Sequence, residues 1–152
     1  MKEYIILELI PTHSKRELGK IIQLQALKIK DFNLIDRFDY RLCEDKITNK
    51  DLVNLISYDK DYFKYVNDDK KMLKEFKKWS NGLPLLILDN DYTNDYLSEL
   101  KNEKESIAKY LDTEYNDDLI NYLIKKYNLE PTNHIVDLLY ESMIMHDNEK
   151  KS

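Results

Sequence analysis

Tyr4 to Ile10 is an almost unbroken apolar run, YIILELI, closed by Pro11. So short a run cannot sustain a helix and reads as a buried strand. Ile21 to Ile29, IIQLQALKI, predicts a second strand. Side chains alternate across a strand, so Ile22, Leu24, Ala26 and Lys28 share one face, and Ile21, Gln23, Gln25, Leu27 and Ile29 share the other. Leu34 to Leu42 alternates charged with aromatic and apolar groups and predicts a third. Short connections, before Gly19 and at Lys30 to Asn33, make the three an antiparallel meander.

The periodicity then turns helical. Thr48 with Asp51 forms a capping box ahead of Leu52, Val53, Leu55 and Ile56, and residues 57 to 67 read as loop. Asp68 caps a helix carrying Met72, Leu73, Phe76 and Trp79, which Gly82 ends. Leu83 to Leu88 predicts a short central strand, Thr93 to Leu100 a short helix, and residues 101 to 106 a charged connection. Ile107 to Leu111 reads as one more short strand. Asn116 caps a helix over Asp117 to Tyr127, its acids at the N-terminus and Lys125 and Lys126 near the C-terminus, as the macrodipole favours. Thr132 or Asn133 begins a last helix, with Ile135, Leu138, Leu139 and Ser142 or Met143 on its apolar face. Residues 1 to 147 read as one domain and 148 to 152 as a frayed tail. The order β-β-β-α-α-β-α-β-α-α predicts an α/β fold, one mixed sheet covered by helices.

Composition narrows the chemistry. Among 152 residues only Gly19 and Gly82 are glycines, too few for a dinucleotide or phosphate-binding loop. The single Cys43 excludes an internal disulfide and a cysteine-rich zinc site, and His13, His134 and His146 form no HExxH. The N-terminal run is too short to span a bilayer and has no small-residue cleavage site, which leads us to expect a cytoplasmic protein with no membrane partner. The 29 acidic and 24 basic residues give a net charge of -5. Only Arg16, Arg37 and Arg41 among the basic residues are arginines, the better bidentate phosphate readers, so direct nucleic-acid binding is expected to be weak or absent. Tyrosine is abundant, 12 against 4 phenylalanines, which suits a protein-recognition surface and equally an AT-rich coding bias.

Several strings in this order are similar to one family. Ile5-Ile6-Leu7-Glu8-Leu9-Ile10-Pro11-Thr12 lines up with a strand motif of three hydrophobic residues followed by Asp-x-Glu-Thr-Thr. IIQLQALKI at 21 to 29 is close to a second strand of the form IIEIGAVKI. LPLLILDNDYTNDYL at 83 to 97 matches the region holding HNAxFDxxFL, Asp112-Thr113 a later DT, and His134 the histidine of the last motif. The chain thus resembles the DEDDh 3'-to-5' exonucleases over about residues 4 to 147. The resemblance implies a ribonuclease H-like fold, with three antiparallel strands, short parallel strands and flanking helices.

It also implies a site that this chain only partly supplies. Such enzymes cleave a terminal phosphodiester with two divalent ions roughly 4 Å apart, held by carboxylates. By that alignment Glu8 takes the first aspartate position and Ile10 the glutamate position beside it. Asn94 takes the second aspartate position, Leu139 the last, and His134 that of the general base. The resemblance thus leaves Glu8 and His134 as vestigial catalytic candidates, with no metal site and no cofactor. A site rebuilt from Glu8, Asp91, Asp95 and Asp137 would take Mg²⁺ or Mn²⁺. The bland alternatives are a Glu8 paired with a lysine, a solvent-facing His134 and a turn or cap role for Asp112.

Three functions compete. The first is a catalytically inactive exonuclease-like protein that engages a protein partner with a basic surface, such as a phage or mobile-element inhibitor of a host nucleic-acid enzyme. Runs of acids at Asp59 and Asp61, Asp68 and Asp69, Asp89 and Asp91, and from Asp112 to Asp118 fit that complementarity. The second is a divergent active exonuclease, and the third a non-catalytic nucleic-acid binder.

Overall fold

The computed structural model describes residues 3–47, 62–114, 118–132 and 134–151. The expected capping box at Thr48, the helix after it and the cap at Asn116 lie outside these residues. Three long strands, β1 (Glu3–Pro11), β2 (Ile21–Lys30) and β3 (Asn33–Leu42), form the meander that the alternation predicts. The β2–β3 turn is two residues, Asp31 and Phe32, both at positive φ (50° and 67°), as a type I′ hairpin requires. With so few glycines, Asn and Asp take most left-handed positions, including Asn81 and Asn128 at helix ends.

Three short parallel strands complete the sheet: β4 (Lys64–Val66) beside β3, β5 (Leu85–Ile87) beside β1, and β6 (Lys104–Ser106) beside β5. The order is β4-β3-β2-β1-β5-β6. Both β4 and β6 fall where the sequence reads as loop or charged connection. They are edge strands, paired through the backbone and free to carry Lys and Glu, so hydrophobicity does not mark them.

Helix α1 (Asp69–Ser80) follows Asp68, whose side chain accepts the Lys70 N–H, and ends at Asn81 and Gly82 in left-handed conformation. Helix α2 (Asp91–Tyr96) starts two residues earlier than expected, because Asn90 caps it by accepting the Thr93 N–H. The strand expected at Ile107 to Leu111 is instead helical, α3 (Ile107–Tyr110), with Ser106 as its cap. The strand lies three residues earlier. Helix α4 (Leu119–Tyr127) is followed by α5 (Ile135–Lys151), and residues 148 to 151 of the tail expected to fray are helical. An Asp147–Lys151 pair at 3.1 Å spans its last turn.

The two sheet faces bury separate cores. Ile5, Leu7 and Leu9 of β1 face α1 and α2, packing with Leu24, Phe38, Met72, Phe76 and Tyr96. Tyr4 and Ile6 point the other way, toward α4 and α5, with Leu27, Leu123, Val136 and Leu139. Glu8 belongs to this second face, two residues beyond Ile6. Among the described residues no helix is long and apolar enough to cross a membrane.

Candidate functional site

The strand register builds a polar row across the second face. Glu8 on β1 lies opposite Gln25 on β2, and Gln25 lies opposite Asp39 on β3. Gln25 is fully buried, and its amide donates to Asp39 Oδ1 at 3.0 Å. Its Nε2 also lies 3.5 Å from His134 Nδ1, which brings the start of α5 over the row. One step along, Ile10 lies opposite Gln23, whose Oε1 accepts from Arg41 Nε at 2.9 Å. The buried Arg41 guanidinium sits 4.0 Å from the centre of the Phe63 ring.

Arg37 closes the row on the β3 side. Its Nη1 and Nη2 donate to Asp137 Oδ1 and Oδ2 at 2.6 and 3.0 Å, and its Nε to Asp39 Oδ2 at 3.2 Å. These bonds hold the guanidinium charged, its pKa raised chiefly by Asp137. The Tyr62 ring packs against both Arg37 and His134, at 5.3 and 4.9 Å.

Glu8 sits apart from that network, paired with no basic side chain among the described residues. Loss of hydration pushes its carboxyl up to about 8, so at neutral pH it is mostly protonated. The lysine partner considered for it is not what surrounds it. Tyr92 lies close enough that the Glu8 charge adds to burial in raising the phenol pKa.

The other family positions fare as follows. Ile10 is half-buried against the first core, and Leu139 is fully buried in the second. Asn94 is exposed, its amide donating to Asp89 Oδ1 at 2.8 Å and Asn90 O at 3.0 Å, while its neighbour Thr93 is the buried residue. The replacement acids are engaged elsewhere. Asp95 accepts the Arg16 N–H at 2.7 Å and Asp137 is held by Arg37, while Asp91 is exposed in the first turn of α2. Asp112 sits in a turn at positive φ, bonded to Lys150 at 3.0 Å. His134 is half-buried between Gln25 and Tyr62 rather than facing solvent.

Sequence reasoning passed over Arg37, Asp39 and Gln25. The signal was present: Arg37, Asp39 and Arg41 share one parity of β3, beside the two glutamines of an otherwise apolar strand.

A pair of divalent ions needs several carboxylates converging, and among the described residues no three His, Cys, Asp or Glu side chains meet in a way that would hold a metal. One carboxyl at the family positions, with Asp39 and Asp137 already bonded to Arg37, is the wrong donor set. The residues do not fit the metal pair.

Antiparallel β1–β3, parallel strands on both flanks and helices on both faces give the topology of a ribonuclease H-like exonuclease fold. Among solved structures the chain is similar to product-bound exonuclease I, with a TM-score of 0.56 over 97% of this chain and 43% of that one. Identity there is 12%, so the likeness is one of fold. Distant sequence relatives are the PolC-type DNA polymerases III of Staphylococcus haemolyticus, 24% identical over 148 residues, and Staphylococcus saprophyticus, 24% identical over 143. Each alignment covers 86% of this chain but 10% of the polymerase, so the chain corresponds to a small part of those proteins. No family model matches.

Proposed function

We propose that this chain is a catalytically inactive exonuclease-like protein that acts by binding another protein. The Arg37–Asp137 pair supports the reading best. On the face where catalysis needs carboxylates free to take up cations, Asp39 and Asp137 are already joined to a cation of the chain's own. Glu8 is the only acid at the four family positions, and loss of hydration raises its pKa to about 8.

The surface suits a partner with a basic face. Asp89, Asp91, Asp112, Glu114 and Asp118 are all exposed, whereas Asp69 is buried and withdrawn from any such role. Tyr62 and Tyr65 are 43% and 41% exposed around the edge strand β4, which supplies large amphipathic contacts. A basic nucleic-acid channel on a cytoplasmic host enzyme would meet both features, and a phage or mobile-element inhibitor is a role that would use them.

Affinity capture from host lysate tests this reading. Retained partners should be basic nucleic-acid enzymes, released by salt and displaced by single-stranded DNA competing for the same channel. Capture of nothing that DNA displaces would count against it.

A further inference from the structure

We infer that the opposite side of the molecule, over α1, is a lysine-built surface that takes the backbone of a single-stranded nucleic acid. Met72, Leu73 and Phe76 bury α1 against the face of the sheet that carries Ile5, Leu7 and Leu9, so this surface lies on the far side from Glu8 and stands independently of the function proposed above.

Lys70, Lys74, Lys77 and Lys78 recur at helical spacing on the solvent side of α1. With about 1.5 Å rise per residue, Lys70, Lys74 and Lys77 step along the axis roughly every 5 Å, and Lys78 follows Lys77 directly. Two hollows meet on this stripe. A cavity of about 980 Å³ adds Lys20 and Lys46 to its walls, and one of about 610 Å³ adds Lys101; Lys74 and Lys77 line both. All of these lysines are exposed, and none is in an ion pair among the described residues.

The acids nearby do not cancel them. Asp69 is buried, tied to the Arg16 guanidinium and to the Ile21 N–H at 2.9 Å. Asp68 also caps α1, and with Glu17 and Glu99 it sets three carboxylates against the seven lysines of the two hollows. The net charge of -5 therefore conceals a strongly positive strip.

Lys78 also lines a third hollow, of about 390 Å³, whose walls carry Lys64 and Arg37 together with the carboxylates of Asp36 and Glu75. Its aromatic groups are already engaged, Trp79 by the Lys28 ammonium at 4.4 Å and Tyr40 by the stacked Phe38 ring at 4.0 Å, so the cations carry the binding. Lysines along one exposed helix face give the phosphates of a single strand a row of cations. An acidic peptide would use the same cations, and polyglutamate distinguishes it from a nucleic acid.

The test is fluorescence anisotropy of a labelled oligothymidylate with the full chain across a salt series. Four phosphate contacts predict a slope of log K against log salt of about -3. Lys74→Glu with Lys77→Glu should weaken binding by about tenfold or more at low salt and flatten the slope. The matched reversal Lys125→Glu with Lys126→Glu, on α4 behind the other face, should do neither beyond a small change from net charge. Acetylation footprinting of the unaltered protein provides a readout independent of variant folding, and the oligonucleotide should protect Lys70, Lys74, Lys77 and Lys78. No binding, equal loss from both reversals, unprotected lysines, or polyglutamate binding as tightly as the oligonucleotide would each overturn the inference.

Discussion

Arg37 grips Asp137 with both prongs of its guanidinium, at 2.6 and 3.0 Å, and reaches Asp39 with its Nε at 3.2 Å. One cation thereby ties the third strand to the first turn of the last helix. The pair is only partly shielded, at 27% and 38% side-chain exposure, so solvent screens part of its strength. Arg37→Ala should cost about 1–2 kcal/mol in urea denaturation, and Arg37→Lys should recover less than half, because an ammonium cannot reproduce the two-pronged geometry. Unchanged stability in Arg37→Ala would show that the bonds are incidental.

Glu8 makes stability depend on pH in an unusual direction for a carboxyl. Its folded pKa is raised from 4.5 to about 8, so the folded state holds a proton that the unfolded state gives up. Below 4.5 both states are protonated and nothing is lost; as pH rises from there to about 8, stability falls, then levels off. Glu8→Gln cannot ionise and should be more stable than the parent at about pH 8, by an amount on the order of a few kcal/mol, with the gap closing at about pH 4. Urea midpoints at both pH values decide this, and a gap independent of pH would refute it.

Gly19 is constrained by space rather than by its dihedral angles. A methyl group there would meet the Tyr96 hydroxyl at 2.2 Å and His13 Cβ at 2.7 Å. The same hydroxyl donates to His13 O at 2.7 Å, so it is not free to move aside. Gly19→Ala should destabilise by about 2 kcal/mol, and removing the hydroxyl as well, with Tyr96→Phe, should return part of that loss. Additive losses in the double variant would show that the close approach to Tyr96 is not the cause.

The long strands were legible because burial on alternating or continuous faces writes itself into residue type: YIILELI and IIQLQALKI admit few other readings. Lys104–Ser106 and Lys64–Val66 were not, since a short edge strand is made by backbone pairing and leaves no hydrophobic signature. Ile107 to Leu111 misled for the opposite reason, its apolar residues serving one turn of helix behind the Ser106 cap. At the site, the family pattern pointed to Glu8 and His134, and the fold sets Gln25 opposite Glu8 in the strand register and 3.5 Å from His134, with Glu8 outside the hydrogen-bonded network. What the pattern did not reveal is the Arg37 network. A resemblance directs attention to inherited positions, and Arg37, Asp39 and Gln25 matter through a cross-strand register that only the folded sheet displays.

Cleavage of nucleic acid is the property that most directly separates an inactive chain from an active one. Its measure is release of the terminal nucleotide from a 3'-labelled single-stranded oligonucleotide with Mn²⁺ present, for the parent protein and for Glu8→Ala and His134→Ala. A site with a carboxyl at one family position only, and with Asp39 and Asp137 bound to Arg37, predicts no release above the buffer blank, and no difference among the three proteins. Metal-dependent release by the parent that disappears in Glu8→Ala and in His134→Ala would contradict the account and mark this chain as an active exonuclease.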